Sequence, residues 1–238
     1  MKIIKMLKIA GITIISLFIV LTLALFIYTS NSYQPLEDMY QAIEEMNTDH
    51  ITVIDDFDQI SFIVDQPIKN IIIIPGGKVN PASYQYLAVM LALDGYDVTI
   101  VKTLFNLAIL TPNYGSRFLR DDLDNVVIGH SLGGTVASLF SSQDDRVSEI
   151  IFLASYPISD VSDKQSLLIT GEFDQILDQT SLDESLDLLP VNYVQYEIIG
   201  GNHAQFGWYG SQKGDGAASI TTKAQQDLII DQILDFIN

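Results

Sequence analysis

The chain has 238 residues, of which 12 are basic and 30 acidic, for a formal charge of −18, and it has no cysteine. Its mean hydropathy is nonetheless +0.26, so apolar residues must be concentrated in part of the chain. The missing cysteine excludes a disulfide scaffold, a thiolate metal site, an iron–sulfur cluster and a cysteine nucleophile, the negative charge argues against nucleic acid as a partner, and the apolar content is too high for a disordered chain.

Residues 9–28 read IAGITIISLFIVLTLALFIY, 20 residues without a charge. At about 1.5 Å per residue this run matches the roughly 30 Å hydrocarbon core of a bilayer, which predicts a transmembrane helix. Lys2, Lys5 and Lys8 precede it and the next basic residue is Lys69. The positive-inside rule therefore makes 1–8 a cytoplasmic segment and turns everything after the span outward, to the extracellular side of the cell membrane. Nine basic residues then face 30 acidic ones beyond the span, a balance repelled by anionic headgroups. Ser30-Asn31-Ser32 offers a small-x-small cleavage site, and cutting there makes the rest a secreted protein. The apolar run exceeds the roughly 7–15 residues of a signal-peptide core, which favours a retained anchor.

Within 29–49, Leu36, Met39, Tyr40, Ile43 and Met46 recur at helical spacing among acidic residues, an amphipathic helix expected to link anchor and domain. The domain, 50–238, opens with ITVIDD (51–56) and ISFIVD (60–65), an antiparallel hairpin at a sheet edge. NIIIIP (70–75) is a β-branched apolar run of the kind buried on both faces of a parallel sheet. A helix is expected over 81–93, ended by Gly95, then a strand in YDVTIV (96–101), a helix across 117–123 and a strand in VVIGH (126–130). A helix continues over 135–141, followed by strands in EIIFLA (149–154), SLLIT (166–170) and VQYEII (194–199), and a closing helix over 225–237. This alternation predicts an α/β fold, a mostly parallel sheet with helices on both faces and right-handed crossovers. No internal repeat or low-complexity stretch interrupts it.

Gly129-His130-Ser131-Leu132-Gly133 fits G-x-S-x-G and lies between a strand and a helix, the setting in which such a turn lifts a serine above the sheet. A serine hydroxyl needs a base to become a nucleophile. Of three histidines, His50 precedes the domain's first strand and His130 is expected to point away from Ser131. His203, after the last strand, remains as the base. Asp174, after the preceding strand, is expected to orient its imidazole, with Glu172 the nearest competitor and Asp160 and Asp163 remoter ones. A developing oxyanion needs N–H donors. Leu132 supplies one, and Gly77 in Pro75-Gly76-Gly77-Lys78 a second, with the Lys78 N–H as the adjacent possibility. The Lys78 side chain either meets an anionic group of the substrate or is solvated. No phosphate loop and no metal-ligand cluster is present, and no cofactor is expected.

These residues resemble the α/β-hydrolase superfamily over about 50–238, including its order Ser, Asp, His. PGGKVNPASYQYLAVMLALDGYDVTIVKTLFNLA and GGNHAQFGWYGSQKGDGAASI are similar, more narrowly, to a small bacterial group described as α/β-hydrolase fold-five domain proteins. The resemblance implies Ser131 as nucleophile, Asp174 as acid, His203 as base and the Gly76-Gly77 loop as oxyanion hole. Pro75 departs from the superfamily, standing where many esterases carry His. Dienelactone-hydrolase relatives use a cysteine nucleophile, so that activity does not carry over. Only PISDVSDKQ (157–165) joins the two strands between which many relatives insert a lid; no large lid fits, and the site is expected to be open, walled by 104–114 and 206–209. Phe206, Trp208 and Tyr209 either line an acyl or aromatic pocket there or pack the loop.

The expected function is hydrolysis of a small-molecule carboxylic ester through an acyl-enzyme on Ser131, in a protein attached to the membrane by its N-terminal helix. An amidase or acyltransferase with the same three residues is the enzymatic alternative. A non-catalytic binding protein of this fold, or a scaffold acting through the helix near 36–46, are the others.

Overall fold

The computed structural model describes residues 2–238, with side chains from residue 4 onward. Met1 and the side chains of Lys2 and Ile3 lie outside the described residues, so the expected cytoplasmic segment is described only in part. The chain forms two units, 1–32 and 33–238.

The first unit is one helix, α1 (Lys2–Ser30). Its stretch Ile4–Ser30 is long and apolar enough to cross a membrane. Two of its hydroxyls turn inward along the backbone: Thr13 donates to the Ile9 carbonyl at 3.0 Å and Thr22 to the Phe18 carbonyl at 2.9 Å. Each is satisfied without water, as a lipid environment requires.

The second unit begins earlier than the sequence pattern suggests. Tyr33 pairs with Val79 in a parallel bridge, and α2 (Glu37–Glu44) buries Met39 completely. The stretch expected as a linker is therefore packed from Tyr33 onward. The reason is its apolar stripe: Met39, Tyr40, Ile43 and Met46 join the core on one face of the sheet.

That sheet has eight strands: β1 (Thr52–Asp55), β2 (Gln59–Ile63), β3 (Asn70–Ile74), β4 (Asp97–Val101), β5 (Asn125–His130), β6 (Val147–Leu153), β7 (Gln165–Gly171) and β8 (Val194–Ile198). Their spatial order is β1-β2-β4-β3-β5-β6-β7-β8. The first two run antiparallel and form the expected edge hairpin, while β3 to β8 are parallel. Successive side chains of a strand point to opposite faces. In β3, Ile71 and Ile73 accordingly enter one core with α2, α3 (Gln85–Leu93) and α6 (Thr222–Ile237), whereas Ile72 and Ile74 enter the other with α4 (Leu132–Ser141). Both faces are covered, which is why NIIII carries no polar alternation.

Local chemistry moves several boundaries. The expected helix over 81–93 starts as a 3-10 turn, Pro81–Tyr84, in which the Asn80 side chain accepts from the Ala82 N–H; it ends before Gly95, which takes φ +95°. The helix expected across 117–123 does not form. Instead the Asn125 side chain, fully buried, accepts from the Arg120 N–H and donates to the carbonyls of Arg120, Leu123 and Arg146, so those backbone groups are bonded to a side chain rather than along a helix. A 3-10 turn, Tyr114–Phe118, precedes this knot. Among the described residues, α5 (Gln179–Ser185) is an α-helix without a counterpart in the sequence pattern, short and capped by Asp178, whose carboxylate accepts from the N–H groups of Thr180 and Ser181. Between β6 and β7 there is no helix, as the short connection predicts.

Asn125 also accepts from the Asn70 side chain at 2.8 Å, tying β3 to β5 at the sheet's N-terminal edge. Asn125→Leu strands several buried polar groups at roughly 1–3 kcal/mol each. We expect a loss of about 3 kcal/mol or more, read as a melting point lower by roughly 6 °C or more; an unchanged melting point contradicts this account.

Candidate active site

Ser131 is the first residue after the central strand β5, and its backbone takes φ 50° and ψ −124°. A non-glycine residue there stores strain on the order of 1–3 kcal/mol and persists only where its surroundings impose it. Here the Ser131 N–H donates to the Leu153 carbonyl at 3.0 Å, and its own carbonyl accepts from the Ser155 hydroxyl at 2.6 Å and the Gly134 N–H at 3.0 Å. Helix α4 starts immediately, hard against the end of β3: a Cβ on Gly133 would stand 2.1 Å from the Ile74 carbonyl oxygen. Only glycine permits that approach.

The Gly76-Gly77 loop lies beside the same turn. A Cβ on Gly77 would come within 3.1 Å of Leu132 Cδ2. Among the described residues no acceptor takes the N–H of Gly77 or of Leu132, whereas the Lys78 N–H donates to the Asn106 carbonyl at 2.8 Å. The Lys78 N–H is thus already engaged, whereas that of Gly77 is not. The Lys78 side chain does not line the cleft at Ser131.

After β8, the loop 200–220 carries His203. Its Nδ1 lies 2.8 Å from Asp174 Oδ2, with both side chains almost wholly buried. The other Asp174 oxygen accepts from the N–H groups of Ile176 and Leu177, each at 2.9 Å. The competitor Glu172 is held elsewhere, accepting from the Gly200 N–H at 2.8 Å, and Asp160 and Asp163 are occupied by Ser162 and Lys164. Ser131 and His203 line one cleft of about 210 Å³, together with Leu132, Tyr156, Ile176 and Leu177.

Phe206, Trp208 and Tyr209 do not line that cleft; this is a correction to the pocket reading. All three are buried. Trp208 packs 4.9 Å from the Tyr86 ring and donates its indole N–H to Asp38, while Tyr209 packs 5.2 Å from Tyr33. The segment 33–46 reaches back over this loop and turns its aromatic rings into core. The loop 104–114 likewise forms a separate cavity rather than a wall of the cleft.

Several supporting residues escaped the sequence reading. Asp215 accepts from the Ala204 N–H at 2.8 Å through one oxygen and from the Gln175 N–H at 3.3 Å through the other, bridging the residues next to His203 and Asp174. Fully buried Gln225 accepts from the Asn202 N–H and donates to the Asn202 carbonyl. Its signal was in the sequence: Gln225 shares the inward stripe of α6 with Ile229 and Ile233, a polar residue where an apolar one belongs. Asp215 gave no comparable sign.

His130 is buried beneath the turn, with Nδ1 2.7 Å from the Tyr84 hydroxyl, which itself accepts from the Gly76 N–H at 2.9 Å. Nε2 of the same ring has no partner within hydrogen-bond distance. Burial, and then the neighbouring His203, whose ring centre is 4.9 Å away, hold the His130 pKa well below its ordinary value.

A model of the alpha/beta hydrolase family matches residues 70–227, from β3 into α6. No curated protein sequence matches the chain. Among solved structures it is similar to a predicted CIB-like hydrolase from Thermoplasma acidophilum, 14% identical with a TM-score of 0.57 over 77% of this chain and 98% of that one. A dienelactone hydrolase from Anabaena variabilis is 12% identical, with a TM-score of 0.57 over 79% and 99%. An esterase from Pyrococcus furiosus is 15% identical, with a TM-score of 0.56 over 79% and 87%. At these identities the likeness is one of fold.

Because folding lowers the His130 pKa, the unfolded chain binds the extra proton. Its contribution to stability is complete above about pH 6.5 and is lost as pH falls below that, by up to about 1.4 kcal/mol per unit. Urea midpoints at decreasing pH should fall more steeply in the wild type than in His130→Asn; equal slopes would refute the assignment.

Proposed function

This chain belongs to the alpha/beta hydrolase family, and from that premise we propose that it is a serine hydrolase that cleaves a carboxylic ester through Ser131, His203 and Asp174. The observation that carries this reading is the buried 2.8 Å contact of His203 with Asp174, opening on the cleft that Ser131 shares. A carboxylate buried with its oxygens met by one imidazole and two backbone N–H groups has an orienting role that a surface histidine would not need.

In the proposed cycle, Asp174 accepts from Nδ1–H of His203, which leaves Nε2 as the base. Nε2 takes the Ser131 hydroxyl proton as Oγ bonds to the ester carbonyl carbon, and the carbonyl π electrons pass to oxygen. The N–H groups of Gly77 and Leu132 receive that oxyanion, assisted by the positive end of α4. Collapse breaks the bond to the leaving alcohol, which takes the proton from His203. Water then repeats the sequence on the acyl-enzyme, giving the acid and restoring Ser131. Asp215 acts through backbone, holding the loops of His203 and Asp174 in register.

We further propose that the apolar helix is a retained anchor, with Lys2, Lys5 and Lys8 on the cytoplasmic side and residues 29–238 outside. The domain is released as a secreted enzyme if the chain is cut near Ser30.

The test is labelling of the full-length chain in nanodiscs by a fluorophosphonate probe, together with turnover of short esters. We expect Ser131 to be modified, and kcat/KM to fall by about 10³-fold or more in Ser131→Ala and His203→Ala. A folded wild-type protein that neither labels nor turns over any ester refutes the reading. Asp215→Asn should lower kcat between about 10- and 100-fold through misplacement of His203, with KM and the melting point near wild type; a fall in the melting point with kcat intact would make Asp215 merely structural.

A further inference from the structure

A second cavity, of about 410 Å³, opens at the same edge of the sheet as Ser131, and Phe57, Leu104, Phe105 and Tyr114 line it. The antiparallel pairing of Gln59 with Val101 brings the β1–β2 turn, and with it Phe57, to the end of the sheet where β4 gives way to the loop after Val101. Its volume is within the range of small-molecule sites, roughly 300–1,000 Å³. Phe57 is 84% exposed and Leu104 54% exposed, large apolar side chains without an obvious structural reason to face water.

Leucine side chains flank the Gly77 loop between this cavity and Ser131 and offer an apolar track between the two. Leu132 lines the Ser131 cleft. A Cβ on Gly77 would meet both Leu132 Cδ2 at 3.1 Å and Leu107 Cδ2 at 3.7 Å, so these two leucines flank the same point of the loop. Leu107 in turn donates its N–H to the Leu104 carbonyl at 3.1 Å, one turn away from the cavity lining. Between them Phe105 and Asn106 hold φ 56° and φ 54°. Two consecutive non-glycine residues in the left-handed region are strained, as segments that shape a site often are. They redirect the chain between Leu104 at the cavity and Leu107 at Gly77.

The charged groups in the lining are paired with neighbours, while the buried Thr111 hydroxyl, also in the lining, has no hydrogen-bond partner. Asp58 accepts from the Tyr114 hydroxyl at 3.2 Å and pairs with Arg117 at 3.6 Å, while Lys102 pairs with Asp55 and donates to the Asp56 carbonyl at 2.6 Å. Their charges are met by these neighbours, and what the cavity offers a ligand is the aromatic and aliphatic surface of Phe57, Leu104, Phe105 and Tyr114 with the Thr111 hydroxyl among them.

We propose that this cavity holds the acyl chain of the ester, a linear aliphatic chain that starts at Ser131, crosses Leu132 and Leu107, and ends between Phe57 and Leu104. The inference rests on Ser131 being the nucleophile, and it specifies the substrate as an ester of an acyl chain longer than the Ser131 cleft alone accommodates.

The experiment is a series of p-nitrophenyl esters, from acetate through butyrate and octanoate to decanoate, hydrolysed by the full-length chain in nanodiscs. Fluorophosphonate labelling is scored in parallel. In the wild type kcat/KM for octanoate should exceed that for acetate at least about tenfold. Leu104→Asp and Phe57→Ser, both at exposed positions, should each collapse that ratio about tenfold. Ile158→Ser, also an exposed apolar position but outside the track, should keep it. A labelled, active enzyme with a flat or falling chain-length profile, or with the ratio intact in Leu104→Asp, overturns the acyl-chain assignment while leaving the nucleophile standing. Inertness toward the probe and every ester removes the nucleophile, and this proposal with it.

Discussion

The arrangement at the sheet's C-terminal edge depends on how closely helix α4 approaches the end of strand β3. Gly133 sits where any Cβ would overlap the Ile74 carbonyl oxygen, and that contact sets where the helix begins. With the helix so placed, Leu132 lies against Gly77 and Ser131 has no choice but the left-handed backbone that projects it from the sheet. The strain at Ser131 is offset by the three backbone bonds around it and by the burial of both sheet faces, which makes the strand ends rigid reference points.

Around this centre the polar groups are divided by purpose. Those that hold the framework are fully matched and lie behind the site: Asn125 at the far edge, and Gln225 and Asp215 beneath the His203 loop. The N–H groups of Leu132, which lines the cleft, and of Gly77 beside it keep unused capacity among the described residues. The contrast between committed and uncommitted donors within one loop, Lys78 against Gly77, separates scaffold from proposed chemistry more sharply than residue type does.

Much of the sheet was legible because its physics is local. NIIII announces a strand buried on both faces without help from the rest of the chain, and the glycines of the Ser131 turn sit at positions that short-range sterics require. Ser131, Asp174 and His203, the proposed catalytic residues, were suggested by their places after the strands that became β5, β7 and β8. What stayed hidden depended on partners distant in sequence. The helix expected across 117–123 is undone by a single side chain, Asn125, competing for its backbone. Phe206, Trp208 and Tyr209 have the composition of a pocket wall; only the return of residues 33–46 across them makes them core. Asp215 is indistinguishable in sequence from the chain's many solvated acids, since its role lies in two backbone N–H groups that other parts of the fold bring to it.

The contact between Asp38 and Trp208 spans 170 positions, and its consequence is temporal. A chain emerging from the ribosome completes β1 to β7 before the loop that carries His203 exists, and the early segment around α2 must wait, its apolar stripe uncovered, for nearly the last residues to be made. Closing so long a loop is slow relative to the formation of local helices and hairpins. The His203 loop is therefore among the last parts of the molecule to become ordered, and a chain that stops before Trp208 leaves the segment around α2 without its partner.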